Sequence, residues 1–259
     1  MTEPTAPLPA AAEVPAAATA LTPELLATLR RVPVAALSAE LRRRGLVGVF
    51  VDGPRPARPE HTIVGVATTL RLVPYREDLF AARGGGYNAQ KRCFDAAGPG
   101  QVIVIEARGV ADAGTLGDIL ALRARANGVE GVVTDGAVRD HEAVVATGLP
   151  VFSRGAHPSV LGRRHVPWDV DVAVCCGGAT VLPGEIIVGD ADGVIVIPPA
   201  IAQEVADAAL AQEEQDAWVA AQVAAGYALD GLFPPDATWQ ARYAARDDHR
   251  PARTEEESS

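Results

Sequence analysis

Between Gly128 and Asp140 the chain reads GVEGVVTDGAVRD, an apolar run that breaks into a turn carrying one arginine and two aspartates. Val132 and Val133 read as a buried strand and Asp135-Gly136 as the turn that ends it. Arg139-Asp140 leads into HEAVVATG, which has helical character. A buried strand must therefore stop, and a helix begin, within this short polar stretch. An arginine beside an aspartate at such a junction can hold an anionic substrate and a hard cation in one place. The plainer reading makes Asp140 a helix N-cap and Arg139 a surface charge.

The flanking sequence supplies further elements. Thr22-Pro23 predicts an N-cap followed by proline at the first helical position, and VAALSAELRRRGL predicts a second helix with Val34, Leu37 and Leu41 on one face, stopping at Gly45. Strands are expected over Ile63 to Val73 and Gln101 to Ala107, and helices over Asn88 to Ala97 and about Leu116 to Ala126. VDVAVCC, GEIIVGD and GVIVIP predict three antiparallel strands between Val170 and Pro198, because their glycine turns are too short for helical crossovers. A long helix follows from Pro199 to Gly226. Residues 1–20 are Ala/Pro-rich and expected to be disordered, 21–233 to form one domain, and 234–259 to be a weakly ordered tail.

Composition narrows the chemistry. Hydrophobic residues make up 48% of the 259, enough for a core, and a net charge of −10 leaves no global nucleic-acid footprint. No segment approaches the roughly 18 consecutive apolar residues of a membrane span, and the N-terminal stretch has no basic region of a secretory signal. Cys93 and Cys175-Cys176 form neither a disulfide framework nor a CxxC pair, which together predict a cytoplasmic protein with cysteines as small core residues. Lys91 is the one lysine, so Schiff-base chemistry would have to use it, and no apolar sequence surrounds it. Gly84-Gly85-Gly86 lacks the GK[ST] ending of a phosphate loop, and no GxGxxG turn supports a nucleotide-like cofactor.

A second half-site lies in AGTLGDILALRARANG. Thr115 and Asp118 have capping-box spacing. The same turn offers the backbone N–H groups of Thr115, Leu116, Gly117 and Asp118 as a seat for a substrate carboxylate.

The order GxxGD at Gly114–Asp118, then GVEGVVTDGAVRD, then VLPGEIIVGDADGVIVIP resembles the RraA-like family, over roughly Pro33 to Phe233. That family includes 4-hydroxy-4-methyl-2-oxoglutarate aldolases that also decarboxylate oxaloacetate. The resemblance implies an α/β sandwich around a swivelling, phosphohistidine-domain-like β-core flanked by helices, assembled as a homotrimer or homohexamer. It places substrate binding on Arg139, a divalent cation such as Mg2+ or Mn2+ on Asp140, a water-holding acid on Asp118, and the pyruvate carboxylate on the backbone of Gly114 to Asp118. It also implies an acid from a neighbouring subunit, at Glu213, Glu214 or Asp216. The expected activity is a metal-dependent lyase that releases pyruvate from a small 2-oxo acid. A protein-binding regulator of a ribonuclease is the alternative. Glu185 stands where the family usually has aspartate, and reads as a turn variant.

Overall fold

The computed structural model describes residues 21–245; residues 1–20 and 246–259, and with them the expected N-terminal disorder, lie outside the described residues. Helix α1 (Pro23–Leu29) opens as expected, with the Thr22 hydroxyl accepting the Leu25 N–H at 3.2 Å and Pro23 at its first position. Helix α2 (Val34–Arg43) buries Val34, Leu37 and Leu41. Its first N–H is satisfied from a distance, by Asp190 Oδ2 at 2.8 Å.

The chain then runs through β1 (Phe50–Val51), β2 (Arg55–Pro56), β3 (Ile63–Pro74), α3 (Glu77–Arg83), α4 (Ala89–Ala96), β4 (Gln101–Glu106), α5 (Asp118–Ala126), β5 (Gly131–Thr134), α6 (His141–Ala146) and β6 (Val151–Ser153). Five strands follow, β7 (His165–Val170), β8 (Val174–Cys176), β9 (Ala179–Val181), β10 (Ile186–Asp190) and β11 (Gly193–Ile197), and then helices α7 (Ala202–Ala224) and α8 (Ala237–Ala245). The sheet order is β1-β11-β10-β3-β4-β5-β6-β2, with β7 also paired to β3, while β8 and β9 form a separate hairpin. Strands β3 to β6 are parallel, and β7, β10 and β11 join antiparallel. The fold is therefore a mixed α/β sheet flanked by helices.

Why the strands read as unbroken apolar runs follows from their two covered faces. In β4, Ile103 and Ile105 pack with α4 and α5 residues, whereas Val102 and Val104 face a core shared with the β8–β9 hairpin. In β11, Ile195 and Ile197 meet α1, α2 and α7, whereas Val194 and Val196 face that same inner core. Each such side chain contributes about 1.5–3 kcal/mol on burial.

Three expectations are corrected. VDVAVCC is not one strand: it splits at Asp171, whose φ of 55° turns the chain between β7 and β8. Cys175 is exposed, because the two adjacent cysteines of β8 point to opposite faces and only Cys176 is buried. The segment after Pro234, expected as a tail, carries α8, whose Trp239 and Tyr243 contact Trp218 of α7 edge-on at 5.9 and 5.3 Å. Among the described residues no helix is long and apolar enough to cross a membrane.

Beyond β4 and β5 the loops are laced together. The buried Asp135 carboxylate accepts the Ala107 N–H at 2.6 Å, the Gly109 N–H at 2.7 Å and the Gly177 N–H at 3.2 Å. It thereby joins three otherwise separate loops, and Asp135→Ala would leave those donors without partners. We expect a loss of about 3–5 kcal/mol, by analogy with breaking a buried charged pair, read as a lowered urea midpoint.

Buried His165 of β7 gives a second expectation. Burial, and then the nearby Arg108 guanidinium, push its pKa down to about 4. The unfolded chain takes up this proton near pH 6.5 and the fold refuses it until about pH 4, so stability falls as pH drops through that window. Urea titrations at pH 7 and pH 4 should show His165→Asn losing less stability on acidification than the parent chain, by up to about 3 kcal/mol.

Candidate functional site

The site lies beyond the carboxyl ends of the parallel strands β4 and β5, where open α/β sheets commonly place ligands. The loop after β4 meets the loop after β5 as an added parallel bridge at Gly114 and Ala137. Thr115 N–H donates to the Ala137 carbonyl at 2.8 Å, and Arg139 N–H to the Leu116 carbonyl at 2.9 Å. The two sequence segments singled out above are thus zipped side by side.

This contact overturns the capping box. Thr115 is fully buried and its hydroxyl donates to the Ala137 carbonyl at 3.0 Å, so Gly117, with no side-chain oxygen, takes the N-cap position of α5. The carboxylate seat narrows as well. Gly114 N–H is committed to the Ser159 carbonyl and Thr115 N–H to Ala137. The N–H groups of Leu116, Gly117 and Asp118 make no hydrogen bond among the described residues, and those of Ile119 and Leu120 are left open by the start of the helix. Asp118 is half-buried in this first turn, and its carboxylate has no hydrogen-bond or ion-pair partner among the described residues.

Glycine at 114 is a matter of space. A Cβ there would stand 2.3 Å from Arg139 Cγ and 3.0 Å from the Arg139 nitrogen. A Cβ on Gly117 would stand 3.2 Å from Asp140 Oδ2. These two glycines let the loop pack tightly against Arg139 and Asp140.

Asp140 stands at the N-cap position of α6 but does not cap it. Its backbone is left-handed, φ 51° and ψ 44°, and its side chain makes no capping bond. A non-glycine residue in that region costs on the order of 1 kcal/mol and merits a reason. Its exposed carboxylate lies 3.9 Å from the Arg139 guanidinium, whose buried Nε has no hydrogen-bond partner among the described residues.

Gly114, Thr115, Leu116, Gly117 and Arg139 line one cavity of about 480 Å3. Its remaining wall includes Phe80 of α3, Asn88, Gln90, Lys91, Leu120 and the turn Val160 to Gly162. Lys91, the one lysine, therefore shares the cavity with Arg139. Gln90, buried on α4, reaches the Thr115 carbonyl through its side-chain amide. These α3 and α4 residues carry no spacing that announces them; the single lysine was the one available signal. Glu213, Glu214 and Asp216 sit on α7, which packs on α1 and α2, and Glu213 and Asp216 line a different cavity beside Phe233. One protomer does not bring them to Arg139 and Asp140.

Glu185 proves to be a turn residue with a task. Its carboxylate accepts the Leu182 N–H at 2.8 Å, closing the turn before β10, and burial raises its pKa.

A family model described as RraA-like, Aldolase/RraA, matches residues 34–196. A protein of Halalkalibacterium halodurans that carries the provisional name 4-hydroxy-4-methyl-2-oxoglutarate aldolase is 33% identical over 175 residues, 68% of this chain and 77% of its own. One of Pseudomonas aeruginosa with the same provisional name is 39% identical over 145 residues, 50% of this chain and 89% of its own. Among solved structures, Streptomyces coelicolor RraAS2, described as an unusual member of the RNase ES inhibitor RraA protein family, has a TM-score of 0.70 and 33% identity, covering 76% of this chain and 96% of that one. An uncharacterized Pseudomonas syringae protein has a TM-score of 0.71 and 28% identity, covering 82% and 98%. From α2 through β11 the matched segment holds the whole sheet and both halves of the laced loop pair, and this chain belongs to the RraA-like family.

Proposed function

We propose that the chain is a divalent-metal-dependent carbon–carbon lyase that releases pyruvate, as an aldolase on a 4-hydroxy-2-oxo diacid, as an oxaloacetate decarboxylase, or both. The observation that carries this reading is Asp140: a carboxylate held in left-handed backbone, excused from capping its helix, beside Arg139 and the open N–H groups of the α5 turn. The aldolase names of the Halalkalibacterium and Pseudomonas relatives support it.

The donor set fits a hard cation. Among the described residues no three His, Cys, Asp or Glu side chains converge, so a tetrahedral zinc centre has no ligands here. Mg2+ or Mn2+ keeps several waters and accepts few protein carboxylates, which suits Asp140 directly and Asp118 through water. Such an ion would supply Lewis-acid polarisation of the 2-oxo group. The chain's own groups do the rest. The open N–H groups from Leu116 to Leu120 take the substrate's C1 carboxylate. Arg139 faces the oxyanion that develops on the C2 oxygen as the C3–C4 bond breaks. A water held by Asp118 accepts the 4-hydroxyl proton and returns a proton to C3, so that pyruvate leaves neutral at that carbon. In oxaloacetate the departing group is carbon dioxide, and only the return of the proton is needed. Lys91 is exposed and its ammonium donates to the Gly86 carbonyl, so it lacks the desolvated setting of a Schiff-base lysine.

The exposed Ile119 and Leu122 of α5, next to the site, are the apolar surface on which we expect a homotrimer or homohexamer to form. The likeness to RraAS2 favours a second reading, a protein-binding regulator of a ribonuclease. A chain that binds such an enzyme and forms no pyruvate would establish it.

Two measurements test the lyase. Purified protein with Mg2+ should form pyruvate from oxaloacetate or a 4-hydroxy-2-oxo diacid in a coupled assay, borohydride should not trap it, and EDTA or Asp140→Ala should cut the rate by about a thousandfold or more. Activity that survives both EDTA and Asp140→Ala sinks the metal assignment. Gly114→Ala should displace Arg139 and lower kcat/KM by about a hundredfold. A variant that stays folded by circular dichroism and keeps its rate would show that this placement of Arg139 is not required.

A further inference from the structure

We propose that Lys91 fixes the substrate class of this cavity by holding the second carboxylate of a dianionic 2-oxo acid, an inference that rests on the lyase reading. Lys91 lies in the first turn of α4, where its N–H donates to the capping Asn88 Oδ1 at 3.2 Å and the Asn88 side-chain amide in turn donates to the Gly84 carbonyl at 2.7 Å. The start of the helix is therefore fixed to the glycine loop that forms part of the cavity wall. The Lys91 ammonium spends one hydrogen on the Gly86 carbonyl and keeps two for a ligand. No carboxylate among the described residues pairs with it, in contrast to Arg123 and Arg164, which are closed off by Asp95 and Asp112.

Charge balance then selects the ligand. Asp140 and Asp118 together offset one divalent cation. Arg139 and Lys91 remain as two positive charges on one cavity, and a ligand with two negative charges completes the balance. Leu116, Leu120 and Leu161 supply an apolar wall of the same cavity, fit for the short carbon middle of such an acid. A volume of about 480 Å3 leaves room well beyond a three-carbon monoacid.

The test is equilibrium titration of the full chain in Mg2+ with 2-oxoglutarate, a diacid, and with pyruvate, a monoacid. The wild type should bind the diacid more tightly. Lys91→Met should weaken 2-oxoglutarate by about fivefold, as befits an exposed charge pair, and pyruvate by much less. The difference should shrink as salt is raised, and Lys91→Arg should restore most of it. Equal weakening of both acids, no change for the diacid, or a wild type that prefers pyruvate would each overturn the proposal. Because titration needs no turnover, a wild type that selects the diacid yet forms no pyruvate would refute the lyase reading alone and leave the role of Lys91 standing.

Discussion

The Asp135 carboxylate is the contact on which the upper edge of this molecule depends. A sheet covered on both faces fixes its strands by burial, but burial says nothing about where the connecting loops go once the strands end. Here one buried side chain answers for three of them, accepting N–H groups from the loop after β4 and from the turn between β8 and β9 while itself belonging to the loop after β5. Charge-assisted bonds to backbone donors are stronger than neutral ones, and a buried carboxylate without them would be costly. Of the two aspartates in GVEGVVTDGAVRD, the first is thus the one that holds the site's frame together.

With the loops fixed, small residues decide how closely they approach. Gly136 follows Asp135, and a Cβ there would meet Thr115 Cγ2 at 2.6 Å and the Ala107 side chain at 2.7 Å. Its role is closeness, since its backbone is not among the left-handed glycines. Thr115 can then lie flat against Ala137, donating twice to one carbonyl, and the α5 turn is presented to Arg139 at a fixed distance.

Much of this was legible in the sequence, for physical reasons that differ by element. Long β-branched runs such as IVGVATTLRLV and QVIVIEA announce buried strands because both faces are apolar, and β3 and β4 fall where expected. Thr22-Pro23 announces α1 because capping is local chemistry. The Thr115–Asp118 capping box failed because a tertiary partner, the Ala137 carbonyl, competes for the hydroxyl, and local spacing cannot register that. Helix α3 and the sharing of one cavity by Lys91 and Arg139 were invisible for a related reason: nothing in the spacing of residues 80–91 refers to residue 139. The resemblance to the RraA-like family brings Arg139, Asp140 and the glycine turn together, but not the cation and amides at the start of α4.

The GxxGD and VRD motifs are best understood as one object made of two pieces. Gly114 and Gly117 lie three apart on one strip of backbone, and the atoms nearest their missing side chains belong to Arg139 and Asp140, two consecutive residues of the other strip. A glycine at 140 would adopt φ 51° at no steric cost, and an aspartate in extended backbone there would cap α6. The chain does neither. It holds a carboxylate in left-handed backbone and leaves the helix uncapped, so the side chain can rest over Gly117, where no Cβ stands in the way. Strain of this kind persists only where the surroundings over-determine it, and here the surroundings are the laced loops themselves. The glycines are the sockets and the Arg-Asp pair the plugs, so neither motif reads as a site without the other.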